Sequence, residues 1–308
     1  VIFRKFLLDQ NRIGGKMFQG VITAIVTPFT ENGDVDEPAL RQLVNFQIES
    51  GVAGIVPCGT TGESPTLSYE EHNRVIDIVI EEARGRVPII AGTGSNSTAE
   101  AIFLTQHAYK AGAQATLQVA PYYNKPTQKG IYQHFLTIAD AVDLPMIIYN
   151  IPSRTGINIE TDTLIKMAEH KNIVAVKEAS GNISQIMEVI SRRPEGFSVL
   201  SGDDNLTFPL MSLGGDGVIS VASNLVPQEV CSMVNLALAG KWDDSRKYHY
   251  YLLPIFKVLF IETNPVPIKT ALALQGKIKE IFRLPLSPMD QSNREKLKEV
   301  LASKKILL

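Results

Sequence analysis

Cysteine is scarce in this chain: 308 residues contain only Cys58 and Cys231, with no CxxC pair and no Cys/His cluster. That excludes a disulfide framework and a structural zinc site, and makes a reducing cytoplasm the expected setting. An excess of charge is missing too, because 30 Lys and Arg against 32 Asp and Glu leave a net charge of −2. Without an electrostatic footprint, neither nucleic acid nor a membrane surface is an expected partner, which leaves a small molecule. No run of 18 uncharged apolar residues is present, so no membrane span is expected. The five histidines form no HExxH, and the glycines at 59 and 62 fit neither a P-loop nor a dinucleotide fingerprint. No metal, nucleotide or other cofactor is expected.

What is present is an ordinary globular composition, 44% hydrophobic and 20% charged, at a length suited to one large α/β domain with an addition. Short apolar runs at 21–27, 54–57, 88–91, 115–120, 146–149, 173–177, 198–200 and 217–221 alternate with amphipathic helical stretches. Ser68 with Glu71, and Ser97 with Glu100, have the spacing of capping boxes. Leu40, Leu43, Val44 and Ile48 form one helical stripe, and Val75, Ile76, Val79, Ile80 and Ala83 another, while Gly51 and Gly112 stand where helices hand over to strands. Eight such units predict an α/β fold of the (β/α)8 TIM-barrel type over 17–240, with a doubly wound open sheet as the rival. Helical patterns near 243–260, 265–275 and 293–301 predict a C-terminal helical appendage, 241–308. Residues 1–16 carry Arg4, Lys5, Arg12 and Lys16 and no signal-peptide core. They read as an N-terminal extension outside the native protein, from an upstream start codon or a cloning remnant, with Met17 just before the first strand.

A barrel places its chemistry at the C-terminal strand ends. Lys177 closes the apolar run Ile173-Val174-Ala175-Val176; desolvation there would favour the neutral, nucleophilic amine, whereas the plainer alternative is a snorkelling or ion-paired lysine. Gly59-Thr60-Thr61-Gly62 could turn N–H groups and hydroxyls toward a carboxylate, or be a simple turn. Tyr149 with Thr60 could relay a proton, or pack with a wet tip. Arg154, on the loop after the fifth strand, could fork a second carboxylate or make a surface ion pair. Asp203 and Asp204 lack a third ligand at fixed spacing, which favours a structural or capping role over a metal.

Taken together, GTTGE at 59–63, PYYNKP at 121–126, YNIPSRTG at 149–156, VKEASGN at 176–182, SGDD at 201–204 and GVISV at 217–221 resemble the dihydrodipicolinate synthase family of pyruvate-dependent class I aldolases. The resemblance runs from about Met17 to the C-terminus. It implies a lyase that condenses pyruvate with L-aspartate 4-semialdehyde to 4-hydroxy-tetrahydrodipicolinate, in the diaminopimelate route to lysine. Lys177 would carry the Schiff base and Tyr149 exchange the proton, linked to solvent by Thr60 and by a Tyr123 reaching in from a neighbouring subunit. Thr61 would bind the pyruvate carboxylate, Ile219 contact pyruvate through its backbone, Gly202 line the pocket, and Arg154 receive the aldehyde's carboxylate. The family implies a homotetramer, a dimer of dimers. Ser64, Leu67, His72, Asn96, Glu100 and Tyr122 match the family's L-lysine inhibitor site, although His72 and Glu100 also read as helix-surface groups. An N-acetylneuraminate lyase-like aldolase is the near rival, disfavoured by Arg154. A non-catalytic metabolite sensor is the distant one, disfavoured by the intact proton path.

Overall fold

The structure, a computed structural model, describes residues 18–307; the extension 1–16, Met17 and Leu308 lie outside the described residues. Eight parallel strands appear at the expected places: β1 (Gly20–Ala24), β2 (Gly54–Val56), β3 (Ile90–Gly92), β4 (Ala115–Val119), β5 (Met146–Asn150), β6 (Ile173–Glu178), β7 (Ser198–Ser201) and β8 (Gly217–Ser220). Their order is β2-β1-β8-β7-β6-β5-β4-β3. Every strand but β2 therefore pairs with its successor, and β1 pairs with β8. The seam between β2 and β3 is joined by a parallel bridge, Ile55 to Ile89, and by the Gly92 N–H donating to the Pro57 carbonyl at 2.9 Å. That circular order rejects the doubly wound sheet, whose strand order reverses at a switch point. The fold is a (β/α)8 barrel.

Local chemistry explains most element ends. In helix Tyr69–Ala83, Ser68 accepts from the Glu71 N–H while Glu71 accepts from the Ser68 N–H, so both halves of the capping box form. Helix Thr98–Ala111 has only one half: Ser97 accepts from the Glu100 N–H, but the Glu100 carboxylate is drawn to Tyr69 and Ser95 instead. Gly112 closes that helix at φ +98°, where a side chain would be strained. The first strand stops at Ala24, shorter than the apolar run suggests, because the Val26 N–H turns to the Asn224 side chain and leaves the ladder.

Ile22, Val56, Ile90, Leu117, Ile147, Ala175, Leu200 and Ile219 fill the barrel interior. Outside it, the helical stripes around Val44 and Val75 bury against the strands, each full Val or Ile burial contributing roughly 1.5–3 kcal/mol. After the eighth barrel helix, Pro227–Leu238, three further helices follow at Trp242–Val258, Val266–Leu274 and Gln291–Ser303, as the patterns predict. Leu252, Phe256, Leu272 and Leu297 join the same apolar cluster as Leu40 and Val75, so these helices rest on the barrel's first and last units. No described helix is long and apolar enough to cross a membrane.

Candidate active site

Parallel partners on adjacent strands point their side chains the same way. Tyr149 on β5 and Lys177 on β6 are such partners, and the Lys177 ammonium nitrogen lies 4.1 Å from the centre of the Tyr149 ring. Both are buried, at 5% exposure. Burial pulls the Lys177 amine down to about 7; Arg154 adds to the shift, and Asp204 and Asp203 oppose it. Lys177 is thus buried and does not snorkel to solvent. Burial pushes the Tyr149 phenol above its ordinary range, while a hydrogen bond with Thr60 works the other way. Gly202, after β7, is required by close approach: a Cβ there would sit 2.8 Å from the Ala179 Cβ and 3.1 Å from the Lys177 stem.

The loop after β2 is built from tight turns. Gly62 and Glu63 close tight turns by donating to the Gly59 and Thr60 carbonyls, at 3.0 and 3.2 Å. Among the described residues, the Thr60 and Thr61 N–H groups have no backbone acceptor and remain available to an anion. Beneath the loop, Glu63 takes φ +53° and its fully buried carboxylate pairs with the equally buried Lys269. Lys269 also faces the Phe29 ring at 4.2 Å.

Arg154 donates to the Asn264 carbonyl at 3.0 Å and makes no ion pair among the described residues. It borders two cavities. One, of about 380 Å³, is lined by Thr60, Tyr149, Ser64, Leu67, His72, Glu100 and Tyr122. The other, of about 810 Å³, is lined by Gly202, Asp203, Asn264 and Phe260. Asp204 is structural: it accepts from Ser220 at 2.5 Å and from the Val221 and Ala222 N–H groups at 3.0 and 2.9 Å. Asp203 is pushed up to about 6 by burial and by Asp204. Ile219 sits in the interior layer, paired with Ile22.

Two expected residues, His72 and Asn96, stand differently, while Tyr123 is exposed. Tyr123, at 89% exposure and φ +70°, does not line the cavity of Thr60 and Tyr149 within its own chain. His72 is no helix-surface group: it is buried, its Nε2 meets the Gly92 carbonyl at 2.9 Å, and burial lowers it to about 4. Asn96 does not line the cavity that holds the other inhibitor-site positions. Sequence reasoning missed Asn264, which donates to the Thr61 hydroxyl at 3.1 Å, and the role of Glu63.

A desolvated lysine at a barrel mouth, a phenol beside it and free anion-binding donors define a lyase of the class I, Schiff-base aldolase type. The chain belongs to the Dihydrodipicolinate synthetase family, whose model matches residues 17–304. It is 58% identical to the 4-hydroxy-tetrahydrodipicolinate synthase of Syntrophus aciditrophicus, over 92% of this chain and 98% of that protein. The crystal structure of dihydrodipicolinate synthase from Aquifex aeolicus superposes with a TM-score of 0.93 at 53% identity, covering 94% of this chain and 99% of that one. The lysine-bound enzyme from Cyanidioschyzon merolae gives 0.93 at 43% identity, covering 95% and 100%. These relatives do not favour the N-acetylneuraminate lyase alternative.

Proposed function

We propose that the chain condenses pyruvate with L-aspartate 4-semialdehyde to give 4-hydroxy-tetrahydrodipicolinate, in the cytoplasm and as a homotetramer, for lysine biosynthesis. The single observation that carries the reading is Lys177, buried beside Tyr149 with its pKa lowered to about 7. Its neutral amine attacks the pyruvate ketone and water leaves, forming an imine. Loss of a methyl proton gives the enamine, whose carbon adds to the aldehyde. The aldehyde substrate's own amine then attacks the imine carbon, closes the six-membered ring and releases Lys177. Tyr149 and Thr60 move protons during these steps.

In this reading Thr61 and the free loop N–H groups hold the pyruvate carboxylate, Ile219 offers its backbone, and Arg154 takes the carboxylate of the semialdehyde. Gly202 leaves room for the lysine stem. Tyr123 serves the proton path of a neighbouring subunit, which fits its exposure and its left-handed backbone, a strain that persists chiefly at functional sites. L-lysine acts as feedback inhibitor in the cavity of Ser64, Leu67, His72, Glu100 and Tyr122, with Asn96 nearby. The test is borohydride reduction with pyruvate followed by peptide mass mapping, beside turnover with aspartate semialdehyde. A reduced adduct on Lys177 is expected. An adduct on another lysine, or none from active enzyme, removes the mechanism.

A further inference from the structure

Asn264 lies just before the helix Val266–Leu274 and is 5% exposed. Its Nδ2 donates to the Thr61 hydroxyl oxygen at 3.1 Å, its backbone carbonyl accepts from Arg154 at 3.0 Å, and its Oδ1 is buried with no partner. A threonine hydroxyl has one hydrogen to give and two lone pairs. Because Asn264 occupies a lone pair, the Thr61 hydrogen stays free, and among the described residues no acceptor takes it. A reversed carboxamide would capture that hydrogen with Oδ1. The observed orientation instead leaves a buried acceptor unpaired, at a cost in desolvation, and keeps Thr61 a donor.

We propose that Asn264 is a positioning residue that holds the Thr61 hydroxyl as a hydrogen-bond donor to the keto-acid carboxylate, while its main chain anchors Arg154 for the second substrate. This rests on the roles assigned above to Thr61 and Arg154. One residue of the C-terminal segment thereby sets the spacing between the two carboxylate sites. Its side chain serves one site and its backbone the other, so substitution separates them.

Asn264→Ala removes the donor and keeps the carbonyl. The pyruvate concentration at half-maximal borohydride inactivation should rise about tenfold, as for loss of one hydrogen bond serving an anion. The KM for the semialdehyde should change less than about threefold, and kcat little. Asn264→Asp, of the same shape, offers an acceptor and a negative charge. It should raise the pyruvate requirement about 100-fold or more, and it carries the test if the alanine variant does not fold. In a Thr61→Val background, Asn264→Ala should have no further effect on pyruvate. An unchanged pyruvate requirement, equal damage to both substrates, or an effect that persists without the Thr61 hydroxyl overturns the proposal. A wild-type protein that forms no pyruvate adduct would remove the underlying reading as well, so the two failures are distinct.

Discussion

The Tyr149 ring shields the Lys177 amine: the two are register partners on β5 and β6, with the nitrogen 4.1 Å from the ring centre. The aromatic face helps exclude water, and the phenol reaches Thr60. Ring and hydroxyl therefore have separable tasks. Tyr149→Phe keeps the ring, so thermal stability should hold while kcat falls about 10²-fold or more, the usual loss for a positioned acid–base group. Near wild-type turnover would return Tyr149 to a packing role.

The lowered amine of Lys177 sets a pH profile. Below about pH 7 the ammonium form prevails and cannot attack, so adduct formation should fall about tenfold per pH unit there and level off above. Stability follows the same group. Its folded pKa of about 7 lies below the ordinary 10.5, so between those values the unfolded chain binds the extra proton and this contribution to stability rises with pH. Lys177→Met should flatten that rise in denaturant melts taken across the window. An unchanged slope would contradict the buried, neutral amine.

Arg154→Ala should spare imine formation with pyruvate and harm use of the semialdehyde. A loss on the order of 30-fold or more in kcat/KM for that substrate is expected from removing a charged hydrogen-bonding partner. Equal loss of pyruvate trapping would contradict the assignment.

Lys269→Met leaves the Glu63 carboxylate buried and unpaired under the Thr60–Thr61 turn. Breaking such a pair costs about 3–5 kcal/mol, readable as a lower denaturant midpoint, and the double variant with Glu63→Gln should recover most of it. A single variant as stable as wild type would show that the pair contributes nothing.

Under the proposed feedback role, L-lysine would have to compete for Glu100, whose carboxylate already accepts from Tyr69 and Ser95. Calorimetric titration should detect binding that Glu100→Ala abolishes, with inhibition reflecting a coupling of about 1–3 kcal/mol. No heat at millimolar lysine, or binding indifferent to Glu100→Ala, would remove this site.

All eight strands were legible because buried parallel strands read as short apolar runs. The strand-end polar groups marked the barrel mouth, and Lys177, Tyr149, Thr60, Thr61 and Arg154 all lie there. What could not be read depends on contacts distant in sequence. The end of β1 is set by Asn224, 198 residues from Val26, and the Asn264 contact with Thr61 spans 203 residues. Glu100 has the spacing of a capping box, but Tyr69, 31 residues earlier, offers its carboxylate a competing donor. His72 lies at a helix start that looks polar, yet its ring is drawn inward by the Gly92 carbonyl.

The C-terminal segment reaches back repeatedly into the loop and helix that follow β2: Asn264 to Thr61, Lys269 to Glu63, and Arg283 to Glu71 at 2.5–2.7 Å and to the Thr66 carbonyl at 2.8 Å. Residues 59–71 and 264–283 therefore form one structural unit despite their wide separation along the chain. A chimera that takes its C-terminal helices from a distant relative would have to import the 59–71 stretch with them. Recombination points chosen at strand boundaries alone would split that unit.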